Sequence, residues 1–167
     1  MKFGDGVEQA IHCVAVLACL PEGGVLSAAA LAEFHGVSTS YLLKHLQSLS
    51  RAGLVRTVPG PKGGYRMAKP PSKVSLLDVV LAVEGPEPAF RCKEIRQKGP
   101  YPLSKEHYRS PCQINAAMLR AEQAYRNELR AVTIEQINTQ LMNDDRDGAI
   151  AARGCKLMDM QMRHVPE

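Results

Sequence analysis

Residues 38–67 read STSYLLKHLQSLSRAGLVRTVPGPKGGYRM, and the fold turns on how that stretch divides. Leu42, Leu46 and Leu49 recur at three- and four-residue spacing, which predicts a helix with one buried stripe. Ser38, Thr39 and Ser40 supply cap candidates before it and Gly53 stops it. Two short apolar runs follow, Leu54-Val55-Arg56-Thr57-Val58 and Tyr65-Arg66-Met67, split by Pro59-Gly60-Pro61-Lys62-Gly63-Gly64. That pattern predicts a β-hairpin with a long basic tip.

The flanks complete the pattern. Val7–Leu20 is apolar nearly all round after Ala10 and predicts a central core helix, ended by Pro21-Glu22-Gly23-Gly24. Ser27 caps a second helix, Ala28–Phe34, closed at His35-Gly36, and Ser75 opens a fourth, Leu76–Glu84. Three helices, a hairpin and a fourth helix make a chain that is mainly α with a small β-hairpin wing, the order of a winged helix-turn-helix domain over residues 1–85.

Five of the eleven prolines (Pro86, Pro88, Pro100, Pro102, Pro111) then fall in a loop, 86–112, with no apolar period. Beyond it, Ile114, Met118, Ala121, Tyr125, Leu129 and Val132 form one stripe on an otherwise polar helix. Such a stripe packs on a second copy or folds back on its own domain; the fold order favours a dimerisation helix region at 113–142, with Thr133–Met142 continuing or restarting the helix. Residues 143–167 are expected to be a mobile C-terminal tail.

At 167 residues, with 45% hydrophobic and 23% charged, the chain has room for one core plus an oligomerisation element, not for a large multidomain enzyme. The formal charge of +4 is unevenly spread. Seven basic residues (Lys44, Arg51, Arg56, Lys62, Arg66, Lys69, Lys73) and no acid lie between Ser38 and Leu77, leaving 14 basic against 17 acidic elsewhere. Because the acid-free block covers the third helix and the hairpin, it predicts a double-stranded DNA interface at Ser38, Thr39, Ser40, Tyr41, Lys44, Arg56, Lys62 and Arg66. The bland alternative is a solvated basic face on a structural interaction module. A phosphate-loop reading of Gly60-Pro61-Lys62-Gly63-Gly64 fails, since no Lys-Ser/Thr ending and no helix follows. Neither nucleophile-elbow nor HExxH spacing occurs, so no enzyme is expected. No apolar run approaches a bilayer span and the N-terminus has no signal-peptide architecture, so the expected location is cytoplasmic.

The five cysteines are odd in number and irregularly spaced, which argues against a disulfide framework. Cys13 and Cys19 read as core thiols, and Cys155 has no obvious company. Cys92 and Cys112 flank the proline-rich loop and converge only if something ties that loop down. Glu8 and His12 are one helical turn apart and share a face. Two thiolates, an imidazole and a carboxylate suffice for zinc or a two-iron cluster; a surface Glu–His hydrogen bond and two inert thiols are the alternatives.

Several segments carry a family resemblance. Ser38-x-Ser40-Tyr41-Leu42-x-Lys44, Leu49-x-x-Ala52-Gly53-Leu54-Val55, Gly63-Gly64-Tyr65 and Leu76-Leu77-Asp78-Val79-Val80-x-Ala82-Val83-Glu84-Gly85 resemble the IscR/NsrR family of bacterial winged-helix repressors, from about Gly4 to Thr133. The resemblance implies a homodimeric DNA-binding regulator, expected to be a repressor, whose cysteine loop holds an iron–sulfur cluster. IscR and NsrR carry three closely spaced loop cysteines, whereas this chain has only Cys92 and Cys112 there. Val7-Glu8, His12-Cys13 and Phe90-x-Cys92-x-Glu94-Ile95-Arg96-Gln97-x-Gly99-Pro100 are instead similar to the RsrR-type redox-sensing subgroup. That similarity implies a [2Fe-2S] cluster held by Glu8 and His12 of one chain and Cys92 and Cys112 of the other, making 86–112 the cluster-binding loop and leaving His107 as an alternative ligand. Operator binding would then depend on the redox state or presence of the cluster. Imidazole in place of thiolate removes negative charge and raises the reduction potential. A cluster-free member, sensing oxidants through the Cys92 and Cys112 thiols or holding zinc, is the rival.

Overall fold

The computed structural model describes residues 4–165. Its elements run α1 (Asp5–Leu17), β1 (Gly24–Val25), α2 (Ala28–His35), α3 (Thr39–Arg51), β2 (Val55–Val58), β3 (Gly64–Met67), α4 (Leu76–Glu84), α5 (Gln113–Ala131), α6 (Ile134–Asp144), α7 (Ala149–Gln161) and β4 (Arg163–His164). The winged-helix order is therefore present, mostly helical with a small antiparallel hairpin.

Local chemistry explains the boundaries. The Ser27 hydroxyl accepts from Ala30 N–H at the start of α2, and Gly36 takes the left-handed conformation (φ 66°) that ends it. Ser75 and Asp78 form a reciprocal capping box on α4. α1 stops at Leu17, three residues before the expected Leu20, with Cys19 and Leu20 in turn bonds to Val16 and Leu17. Cys19 is thus exposed beyond the helix, correcting its reading as a core thiol; Cys13 is buried as expected.

Around α1 the core gathers Ala10, Cys13, Val14 and Leu17, packed by Leu31 from α2, Leu42, Leu46 and Leu49 from α3 and Val79 from α4. Each leucine fully removed from water contributes about 1.5–3 kcal/mol. α1 and α3 come close because Gly6 has no side chain: a Cβ there would lie 2.3 Å from the His45 ring. β2 and β3 pair antiparallel with Val55 opposite Met67 and Val58 opposite Gly64. β1 pairs with β4 in a second two-stranded sheet, and an isolated bridge between Leu26, the residue after β1, and Tyr65 on β3 sets the two sheets edge to edge. Gly64 permits this approach, since a Cβ would sit 2.3 Å from the Leu26 carbonyl oxygen.

The largest departure from expectation lies after Asn143. Instead of a tail, the chain forms α7, started by the Asp145 carboxylate, which accepts from the N–H groups of Ile150 (3.0 Å) and Ala151 (2.8 Å). Leu157 is buried in the core and Arg153 lies 4.3 Å over the Phe34 ring while donating to the Phe34 carbonyl (2.8 Å).

Candidate functional site

The basic block falls on α3, on the β2–β3 hairpin and on the turn that follows it. Ser38 is the N-cap residue of α3, but its hydroxyl pairs with that of Ser40 (3.0 Å) instead of capping the helix. Thr39, Ser40, Tyr41 and Lys44 are exposed along the first turns, opposite the buried Leu42–Leu46–Leu49 stripe. Amides and hydroxyls at a helix N-terminus suit phosphate oxygens. Tyr41 stacks edge-on against His45 (4.7 Å). Burial pushes the His45 imidazole below its ordinary pKa; Glu84 acts the other way and Lys44 with the burial. On the wing, Arg56 and Lys62 are exposed. Arg66 is half-buried and donates to the Val165 carbonyl (3.2 Å).

The loop between α4 and α5 has an internal frame that sequence reasoning missed. Its first part is tied to α5: Arg126 donates to the carbonyls of Pro86 (3.0 Å) and Glu87 (3.2 Å), and Ala89 N–H donates to Glu122 (2.9 Å). Farther on, the Tyr108 hydroxyl donates to the Arg96 carbonyl (2.9 Å) and accepts from Leu103 N–H (3.1 Å), while the Arg96 guanidinium lies 5.5 Å over the Tyr108 ring. Arg96 also pairs with Glu94 through two bonds and reaches the Ser110 carbonyl (3.4 Å). Two short 3-10 turns, Ile95–Gln97 and Lys105–Tyr108, fall where no period was visible.

This frame draws together the segments that carry Cys92 and Cys112, twenty residues apart in sequence: Arg96 pairs with Glu94, two residues after Cys92, and reaches the carbonyl of Ser110, two residues before Cys112. Cys112 is the N-cap residue of α5. Its thiol is held below its ordinary pKa, chiefly by the Asn115 backbone N–H, then by that of Ile114, by the charge of Arg96 and by Cys92. Glu94 N–H donates to the Cys92 sulfur (3.4 Å) with Glu94 in a left-handed conformation (φ 46°). His107 instead bonds Ser104 (2.9 Å).

Glu8 and His12 lie elsewhere in the same chain. Both are exposed on α1 and open onto a cavity of about 770 Å³ between α1, α2, α6 and α7. The His12 and His35 rings are 5.6 Å apart, and burial, then His12 and Arg153, bring the His35 pKa down to about 4. Cys19 and Cys155 line this cavity too, so Cys155 has company that its place in the sequence conceals. Among the described residues of one chain, no group of three or more His, Cys, Asp or Glu side chains is placed to hold a metal ion.

α5 has no buried residue, and Ile114 (67% exposed), Met118 (43%) and Leu119 (41%) present an apolar surface on its first half. Tyr125 and Leu129 are half-buried, on the side where α5 packs against α4. No helix among the described residues is long and apolar enough to cross a membrane.

Comparison with known proteins gives a consistent picture. The family model for Rrf2, described as iron-dependent transcriptional regulator, matches residues 3–140. The HTH-type transcriptional regulators YwgB of Bacillus subtilis and YffB of Lactococcus lactis are 32% and 34% identical over 137 residues, covering 82% of this chain and 84% and 86% of theirs. Among solved structures, the global cysteine regulator CymR of B. subtilis superposes with a TM-score of 0.65 at 21% identity, over 84% of this chain and 98% of that one. IscR of T. potens gives 0.62 at 19%, over 89% and 91%. The oxidized form of Staphylococcus aureus CymR gives 0.61 at 25%, over 83% and 96%.

Proposed function

The chain belongs to the Rrf2 family of DNA-binding transcriptional regulators, and from that premise we propose that it is a homodimeric repressor whose operator affinity is set by a [2Fe-2S] cluster shared between subunits. Glu8 and His12 of one chain and Cys92 and Cys112 of the other are the proposed ligands. The observation that carries this reading is the loop frame in which Arg96 bonds both to Glu94 beside Cys92 and to Ser110 beside Cys112, with the Cys112 thiol held below its ordinary pKa. Two thiols make half a donor set, and one chain offers no third donor beside them among its described residues. In this reading a second chain completes it, and the exposed Glu8–His12 pair offers suitable chemistry.

When bound, such a cluster supplies one-electron exchange at a potential raised by its imidazole ligand. The protein's own part is to present donors and exclude competitors. Arg96 and Tyr108 fold the loop that carries the two thiols, and the α5 N-terminus stabilises negative sulfur. Ile114, Met118 and Leu119 offer the apolar seam for a second copy. The α3 N-terminus enters the major groove and Lys62 on the wing meets the flanking phosphates, in half-sites about one or more helical turns apart. Protein purified without oxygen is expected to be reddish-brown and to contain iron and acid-labile sulfide in equal amounts; colourless protein without iron would overturn the cluster reading.

One observation favours a second reading. The loop frame draws the Cys92 and Cys112 segments together through Arg96, which suits a cluster-free protein to reversible thiol oxidation. A peroxide would accept two electrons and the two thiol protons, leaving a disulfide and either two waters, from hydrogen peroxide, or an alcohol and a water, from an organic hydroperoxide. Colourless, zinc-free protein that loses two titratable thiols on peroxide treatment would establish it.

A further inference from the structure

The glycine pair Gly23-Gly24, read in the sequence only as a helix terminator, has a second use in the fold. β4 pairs with it antiparallel, His164 opposite Gly24 and Arg163 opposite Val25, and Val165 N–H donates to the Gly23 carbonyl (2.9 Å). A Cβ at Gly23 would lie 2.5 Å from the His164 ring, and one at Gly24 would lie 2.9 Å from the Pro21 carbonyl oxygen of its own turn and 3.1 Å from the Met162 sulfur. The pair is a seat cut for the C-terminal strand, in a part of the chain beyond the residues 3–140 that match the family model.

From that seat the C-terminal strand reaches the wing twice. Arg66 on β3 donates to the Val165 carbonyl (3.2 Å), and Arg163 donates to the Pro61 carbonyl at the wing tip (2.7 Å). The tip needs such support from outside. Pro59 and Pro61 have no amide hydrogen, and the turn bond within the tip runs from Gly63 N–H to the Gly60 carbonyl (2.9 Å). Lys62 follows Pro61 directly, so fixing the Pro61 carbonyl fixes the backbone from which the Lys62 ammonium projects.

We propose that β4 is the fourth strand of the DNA-binding wing and that Arg163 is a positioning residue that holds the tip bearing Lys62 in its DNA-contacting geometry. The proposal rests on the DNA-binding reading of the wing. A tip ordered before binding loses less conformational freedom on the duplex, so the brace raises affinity without itself meeting a phosphate.

The test is Arg163→Ala in the full-length protein, read in two ways. Hydrogen exchange of the Lys62 to Tyr65 amides, measured without DNA, is expected to speed up while exchange in α1 and α3 is unchanged. Affinity for a DNA fragment selected from a random-sequence pool is expected to fall about three- to tenfold, with an unaltered slope of log affinity against log salt. Lys62→Ala, as the comparison, lowers the magnitude of that slope by about 1.8 for the dimer, the signature of one lost phosphate contact per subunit. Unchanged exchange at the tip, or unchanged affinity, would overturn the proposal. A slope change in Arg163→Ala matching that of Lys62→Ala would also overturn it, by making Arg163 a phosphate ligand. Wild-type protein that binds no DNA would sink the functional reading instead, and the exchange measurement would still decide whether Arg163 braces the tip.

Discussion

Cys112 shows how much of the site depends on single side chains that are not ligands. Its thiol is held below its ordinary pKa, chiefly by the Asn115 and Ile114 backbone amides of α5, whose N-cap residue it is, and Arg96 and Tyr108 fold the loop that joins it to Cys92. The cysteines, Glu8 and His12 were legible as residue types. The frame was not, because it consists of bonds between a hydroxyl, a guanidinium and backbone carbonyls with no periodic signature. Tyr108→Phe removes the hydroxyl bonds and keeps the ring, so it is expected to lower the iron bound per chain severalfold with little change in melting temperature; iron analysis beside a thermal melt checks this. Among the proposed ligands, His12→Ala is expected to change the visible absorption of the cluster and Cys155→Ala to leave it unchanged. An unaltered spectrum after His12→Ala would remove His12 from the ligand set.

Among the elements, those with strong local signals lie within a few residues of their expected bounds: α2 and α4 follow their Ser caps and glycine stops, α3 its leucine stripe, the hairpin its apolar runs and α5 its three- and four-residue spacing. α7 escaped because its helix is Ala-rich with a single buried side chain, Leu157, and the acidic run before it reads as solvent-seeking. Its start signal was nonetheless present in Asp145 and Asp147, whose carboxylates accept from α7 amides. Those bonds hold the Asp145 carboxyl below its ordinary pKa of 3.8, the Ile150 amide contributing most. The folded state thus favours the charged form, and its contribution is complete above the ordinary value and lost as pH falls through the lowered one. Exchange of the Ile150 and Ala151 amides is expected to accelerate as the pH drops below about 4, beyond its intrinsic pH dependence, and Asp145→Asn is expected to flatten that extra response. Leu157→Ala is expected to cost about 2–3 kcal/mol in a urea titration, whereas an unstructured segment would lose nothing.

For the molecule as a whole, the sequence pointed to two working ends, a basic face and a cysteine loop, but not to their arrangement. Contacts between residues more than a hundred positions apart, such as Arg163 with Pro61 or Asn138 with Ala15, leave no local pattern to read. The proposed ligands on α1, Glu8 and His12, lie apart from Cys92 and Cys112 on the loop in one chain, which makes the proposal depend on a dimer. Met118→Asp on the exposed α5 surface is expected to yield monomers in sedimentation and to lose both the cluster and tight DNA binding together. The most direct test compares one anaerobic preparation in oxidised and chemically reduced form, with the cluster verified intact by absorption in both, for affinity toward the selected DNA fragment. The account predicts clearly different affinities for the two forms; equal affinities would contradict it.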